Sequence, residues 1–422
     1  MAIETSLVRP TSTDPSLFVN RIEEVAELKL LLRSFLKNND PDETTGVLVK
    51  GDSGVGKSIF SRKVVDDLKA EFSNKLIVLE VDGGKLVGVR GLLNKLCEVA
   101  QTEVAQLENP LLLRQAQMLA EISDYGKITF SQSRQITDTA GVAGEAGSTF
   151  WGLLTAKFSL SATFAEANNR ADGYEIPITD DYLSKLLNAL IQEIGKADYR
   201  VLIFLDNLDR IGKTDSKEDA DTIAAFIKEL MEFSSAVLLL NLRTQFAHHT
   251  TNRRGLEQFA IEGLSKEALL DILKQRHSDQ SLPESERNAI KQVQFWEIAE
   301  CLAELTDNPL AFLRWLSFWL SRTTNNPQNL AQDFKKYIRN NFTGVSLQWL
   351  QFAVDELKQA KAEGYQDTPL VTLEAEKLAQ LERTGAIVPD DLMADPIKRR
   401  YRLTHDLDFL LDPKGRFADS LR

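Results

Sequence analysis

The stretch GDSGVGKS, residues 51–58, constrains this chain more than any other. It fits G-x-x-x-x-G-K-[ST] in full, with the apolar run GVLVK before it and the helical pattern KSIFSRKVVDDLKAEF after it. Strand, glycine-rich turn and helix in that order make a cradle for phosphate. Gly54 and Gly56 permit torsions that turn several backbone N–H groups towards one anion. The following helix points its positive end at the same anion. Lys57 is placed for the β- and γ-phosphates and Ser58 for Mg²⁺, while Gly51, Asp52, Ser53, Val55 and Ile59 complete the nucleotide-contacting loop. A guanine-specific site would add [NT]-K-x-D at a strand end. The nearest string, SKED at 216–219, sits in a polar stretch with no strand before it, so the cofactors expected are ATP and Mg²⁺.

A second acid-bearing strand fits that chemistry. YRVLIFLDNLDRIG, residues 199–212, is an apolar run ending at Asp206. Beside a phosphate loop, a carboxylate at a buried strand end holds Mg²⁺ through water, which makes Ser58 and Asp206 the metal-site candidates. Many ATP-hydrolysing enzymes place Glu next. Here the residue is Asn207, which can position water but cannot act as a base, and the next acid is Asp209. Asp209 either polarises the attacking water or caps the following loop. The next buried strand, AVLLLNLRT, carries Asn241 and Arg243 near its end, where Arg243 can meet a γ-phosphate bidentately or stand as a surface arginine. Arg253 and Arg254 precede a short strand and are either an arginine finger for a neighbouring subunit or two solvated loop arginines.

Strand and helix patterns alternate from residue 45 to 276, which implies a mostly parallel sheet covered by helices. Beyond about 277 the pattern is helical, over 295–322 and 327–361, until a helix and a two-stranded ribbon close the chain. Residues 126–176 stand apart. KITFSQSRQITDT and AKFSLSATFAE alternate like strands around a Gly/Ala-rich centre, and Gln135 to Ala156 contain no Lys or Arg. This insert is expected to be an apolar hairpin, packed on its own domain or offered to a subunit or partner. The composition, 43% hydrophobic and 27% charged, is that of a globular protein of two or three domains. A net charge of −12 argues against a general nucleic-acid coat. Two cysteines in apolar helical patterns make no disulfide framework, and no run reaches the ~20 apolar residues of a membrane span. The N-terminus has no secretion signal, so a cytoplasmic location is expected.

Phe18-Val19-Asn20-Arg21 with Glu23, the phosphate loop, LIFLDNLDR and LLLNLR together resemble AAA+ ATPases of the replication-initiator type and STAND switch ATPases. DNLDR is similar to the acidic motif of KAP-type STAND ATPases, where a second Asp follows the first by three residues. The resemblance spans about residues 16–410. It implies an α/β P-loop NTPase core of three layers with a parallel sheet, then a helical lid and a C-terminal winged-helix domain. The expected boundaries are an N-terminal arm at 1–17, the core at 18–264, the lid at 265–325 and the winged helix at 326–422. It also implies adenine-side contact from Arg21 and either nucleotide contact from Pro309, as in the lid of STAND ATPases, or instead a sensor role for Arg314, as in the AAA+ lid.

The sequence departs from those families at Asn207 and in the insert, and no effector domain is visible in it. The first functional expectation is a slow ATP-hydrolysing switch that changes shape or forms homo-oligomers with nucleotide and acts through a separate effector protein. The resemblance implies a bacterial defence or mobile-element setting for it. A second is a DNA-engaged initiator or loader that grips phosphates through KRRYR (398–402), although residues 371–422 hold ten acids against nine bases. A third is a nucleotide-bound scaffold without turnover. Membrane contact through the insert is not expected.

Overall fold

The computed structural model describes residues 20–38, 44–125, 127–129, 148–167, 175–210, 217–247, 255–278, 288, 291–320, 330–363, 365, 367–389, 399–414, 416–417 and 420–421. The expected arm at 1–17, and Arg253 and Arg254, lie outside them. The strands are β1 (Thr45–Gly51), β2 (Leu76–Asp82), β3 (Lys127–Thr129), β4 (Glu175–Pro177), β5 (Arg200–Asp206), β6 (Ala236–Arg243), β7 (Leu256–Ala260), β8 (Ile387–Pro389) and β9 (Tyr401–Leu403). The core helices are α1 (Ile22–Lys37), α2 (Lys57–Phe72), α3 (Gly88–Val104), α4 (Pro110–Asp124), α5 (Thr149–Ala167), α6 (Asp180–Lys196) and α7 (Lys217–Leu230). Those that follow are α8 (Lys266–Ser278), α9 (Val293–Ala303), α10 (Pro309–Leu320), α11 (Leu330–Asn341), α12 (Leu347–Ala362) and α13 (Ala375–Arg383).

Five strands form one sheet in the order β2–β5–β6–β1–β7, and every pair is parallel. The central strands are near-continuous apolar runs because both sheet faces are covered. Alternate residues serve the two faces. Leu48, Ile77, Leu79, Ile203, Leu205, Leu238 and Leu240 join α3, α4, α6 and α7 in one core. Val47, Val49, Val78, Leu202, Phe204, Val237 and Leu239 pack on the other side with Leu28 and Leu32 of α1 and Phe60 and Val64 of α2. The result is the parallel, helix-covered sheet that the alternation predicted, in the three-layer α/β P-loop form that the resemblance implied.

The insert differs from the expectation. Its ends pair as antiparallel β3 and β4, but residues 149–167 form helix α5 instead of a strand. Phe150, Trp151, Leu154 and Phe158 are buried, a spacing of one helical face, and Phe158 meets the Tyr182 ring edge-on at 6.2 Å. Alanines among the aromatic residues favour helix over strand, which overrides the short alternation from Phe158 to Phe164. This described face packs on its own domain. The N-cap of α6 is Thr179, which accepts from Tyr182 N–H, and Asp180 and Asp181 lie in the first turn.

The helix expected over 295–322 is two, because Asn308 caps α10 through Leu310 and Ala311 N–H, at 3.1 Å each, and Pro309 takes its first position. Likewise 327–361 divides into α11 and α12, with Ser346 as the cap of the second. Helices α8 to α13 and the β8–β9 ribbon share a separate apolar core. Its centre is an aromatic cluster in which Phe409 meets Phe334 at 4.6 Å and Trp315 and Phe417 at 5.4 Å each. Among the described residues no helix is long and apolar enough to cross a membrane.

Phe409 is fully buried at that centre. Phe409→Ala is expected to cost about 3–5 kcal/mol, as truncation of a buried aromatic does, and to lower the urea midpoint followed by tryptophan fluorescence. A cost below about 1 kcal/mol would show that the cluster is dispensable.

Candidate functional site

The sheet brings its chemistry to one edge. Strand β1 ends at Gly51 beside Arg243 of β6, and Asp82 of β2 stands in register with Asp206 of β5. All these are carboxyl ends of parallel strands, where open α/β sheets hold their ligands.

The phosphate loop runs from β1 into α2. Gly54 and Gly56 have φ of +88° and +99°, values that L side chains rarely adopt. The Lys57 ammonium donates to the carbonyl oxygens of Gly51 and Asp52, at 2.9 Å each. Val55 is buried, while Ile59 is half-buried in the first turn of α2. Ser58 Oγ donates to Asp206 Oδ1 at 2.8 Å, so the two metal-site candidates are in direct contact.

Asp206 is 2% exposed and fully engaged. Its Oδ1 also accepts from Asn241 Nδ2 and from the Asn207 backbone N–H, at 2.9 Å each, and Arg62 reaches Oδ2 at 3.3 Å. Asn241 Oδ1 in turn accepts from Ser61 Oγ of α2 at 2.7 Å. The Asn207 side chain donates to Asp82 Oδ1 at 3.1 Å. Asp209 lies in the helical turn Leu208–Arg210; its side chain is outside the described residues. Ser58 and Asp206 are hard oxygen donors beside a loop shaped for phosphate, which fits Mg²⁺ held with a nucleotide.

Arg21 precedes α1 with φ +59° and is 9% exposed. It donates to the carbonyls of Val55, at 3.4 Å, and Glu262, and pairs with Glu24, so its guanidinium braces the loop from behind.

The C-terminal body grips the same loop. Asn308 Nδ2 donates to Ser53 O at 2.7 Å and Leu310 N–H to Gly54 O at 3.3 Å. A Cβ on Gly54 would meet Asn308 Oδ1 and Leu310 Cβ at 2.6 Å, so only glycine fits beneath α10. From the β9 side, Arg402 holds both carboxylate oxygens of Asp52, at 2.7 and 2.5 Å. His405 Nε2 lies 3.1 Å from Asp52 Oδ2, and its Nδ1 lies 2.7 Å from Asp408 Oδ2. Thr306 Oγ1 donates to Asp408 at 3.3 Å and accepts from Asn308 N–H at 3.1 Å. These contacts close a ring that leaves the loop at Asp52 and returns to it at Ser53.

Pro309 and Arg314 lie on α10 as expected from the sequence. Arg314 borders a cleft with Asp52, Arg243, Asn308 and Arg402, and its guanidinium pairs with Asp406 at 2.5 Å. Arg243 enters that cleft from the end of β6. Sequence reasoning missed Asp82, Arg62, Asn308, His405 and Asp408 as site residues. Only Asn308 had a local signal, a cap residue directly before a proline.

A family model described as the KAP family P-loop domain matches residues 29–252. No curated protein matches the chain. Among solved structures it is similar to the Aeropyrum pernix ORC2 protein in its ADP form, at 12% identity and a TM-score of 0.47, covering 98% of each chain. It is also similar to Cdc6p from Pyrobaculum aerophilum, at 10% identity and a TM-score of 0.41, over 99% of this chain and 98% of that one. The Aeropyrum pernix ORC1 protein in complex with DNA matches at 12% identity and 0.43, over 98% of this chain and 95% of that one.

The ring around Asp52 titrates. Burial opposes charge on His405, but hydrogen bonds to Asp408 and Asp52 outweigh it and raise its pKa from 6.5 to about 10, against the nearby Arg402. Burial likewise opposes the Asp52 carboxylate, yet His405 and Arg402 hold its pKa below the usual range. At Asp408 burial prevails and pushes the pKa up. A raised histidine binds its proton more tightly when folded, so its stabilisation is complete below pH 6.5, declines as pH rises and is gone above about 10. Asp52 acts in the opposite sense, contributing above pH 3.8 and fading below it. The stability advantage of the native chain over His405→Gln, from urea midpoints across this window, is expected to shrink steadily from pH 6.5 to 10. A flat difference would refute a charged His405.

Proposed function

The chain belongs to the KAP family of P-loop domains, and on that premise we propose that it is a STAND-like switch of AAA+ type that binds ATP with Mg²⁺ and hydrolyses it slowly. The observation that carries this proposal is the double grip on the phosphate loop. Asn308 holds Ser53 while Arg402 and His405 hold Asp52, so whatever occupies the loop bears directly on the C-terminal body. In this proposal α8 to α10 act as the lid and α11 to α13 with the β8–β9 ribbon as a winged helix.

The residues take distinct parts. Lys57 exchanges the carbonyls of Gly51 and Asp52 for phosphate oxygens, and the N–H groups at the start of α2 receive the rest of the phosphate. Ser58 and Asp206 orient the ion, which when bound neutralises charge on the phosphates. Arg243 and Arg314 face the cleft where the outer phosphate would sit, although Arg314 must first leave Asp406. An anionic phosphate entering beside Asp52 repels that carboxylate and competes for Arg402. ATP and ADP then differ in how strongly they compete, and this difference shifts the balance between docked and released C-terminal bodies. The released state is the one offered to a second copy or to an effector protein. A DNA-gripping ribbon is less well supported, because Arg399, Arg400 and Arg402 pair with Glu382, Asp367 and Asp52 of this chain.

Lys57→Ala is expected to lower ATP affinity at least tenfold in calorimetry. Small-angle scattering or sedimentation should separate the ADP form from the form with a non-hydrolysable ATP analogue. Arg402→Ala should populate the released shape without ATP. Identical shape and mass with both nucleotides would sink the switch, and equal affinity for GTP would remove the assignment to ATP.

A further inference from the structure

The position after Asp206 is an amide, and the sheet brings a carboxylate to it from the neighbouring strand. Asp82 ends β2 in register with Asp206, and its Oδ1 accepts from Asn207 Nδ2 at 3.1 Å. Two further contacts hold it, from Gly84 N–H at 3.2 Å and from Lys85 Nζ to Oδ2 at 3.3 Å. The backbone makes this approach possible. A Cβ on Gly83 would lie 2.9 Å from Leu208 Cα and 3.0 Å from Asp206 O, so the ends of β2 and β5 meet only because glycine follows Asp82. Asn207 is itself held in a left-handed conformation, φ +56°, with its N–H on Asp206 Oδ1. The two carboxylates differ in access. The Asp206 side chain is 3% exposed and accepts four hydrogen bonds, whereas the Asp82 side chain is 38% exposed and borders an open cleft with Lys85, Asn94 and Asp124.

We propose that Asp82 is the carboxylate that orients the attacking water in ATP hydrolysis, and that Asn207 is the positioning residue that aims it. This rests on the ATPase assignment above. The water oxygen forms the new bond to the γ-phosphorus, and the bond to the β–γ bridging oxygen breaks with its electron pair leaving on ADP. The water proton passes to Asp82 and then to the released phosphate. Burial raises the proton affinity of Asp82, but hydrogen bonds from Asn207, Lys85 and Gly84 outweigh it, so the group is ionised and weakly basic. A weak base suits a loose transition state, in which placing the water matters more than early removal of its proton.

The test compares ATP turnover and ATP affinity in the native chain, Asp82→Asn, Asp209→Asn and the exchanged pair Asp82→Asn with Asn207→Glu. Asp82→Asn is expected to lower kcat about 100-fold or more while ATP affinity stays within about threefold, which also reports that the variant is folded. The exchanged pair restores one carboxylate beside one amide and is expected to recover at least about tenfold of the lost rate. A merely structural Asp82 would give no such rescue. Turnover unchanged in Asp82→Asn but lost in Asp209→Asn overturns the proposal and leaves the ATPase assignment standing. Absence of turnover in the native chain, with ATP bound, overturns both.

Discussion

The contact on which the rest of the structure depends is the one between Ser58 and Asp206. A carboxylate at 2% exposure is costly unless it is well hydrogen-bonded. Asp206 meets that demand by drawing donors from α2, β6 and its own strand end. Asn241 answers with a second bond to Ser61, one helical turn beyond Ser58. These bonds fix the rotation of α2 over the sheet, and with it the direction in which the loop opens. Only from that fixed loop can Asp52 and Ser53 meet the C-terminal body.

The C-terminal body is stabilised independently, by its own aromatic core around Phe334 and Phe409. Besides the packing of Leu310 on Gly54, it meets the loop through polar contacts: a bidentate arginine, a histidine between two carboxylates and a capping asparagine. Such contacts are directional and exchangeable, whereas an apolar interface of the same reach would not yield to an incoming anion. The separation of a firm core from a polar joint would let the proposed release proceed without unfolding either body.

The sheet was legible because parallel strands covered on both faces appear as unbroken apolar runs, as in residues 201–205 and 236–240. The loop was legible because its chemistry is local. Helix α5 is ambiguous in the sequence because Phe158 to Phe164 fit period two over a short span, and the break before α10 rests on the two residues Asn308-Pro309 alone. The pairs that complete the site were out of reach for a different reason. Asp82 and Asn207 are 125 residues apart, and Asp52 and Arg402 are 350 apart. Each meeting depends on strand order or on the docking of a second core, and neither leaves a periodic trace in the chain.

Gly54 carries a consequence for descent. Its positive φ suits a phosphate cradle, yet the 2.6 Å approach of Asn308 and Leu310 demands glycine there for α10 to dock at all. A side chain at this position is therefore opposed on two physical grounds, and removing one leaves the other. A descendant that had lost all use for nucleotide would still keep Gly54 so long as its two bodies stayed together. Glycine at this position thus answers to the joint as much as to the ligand.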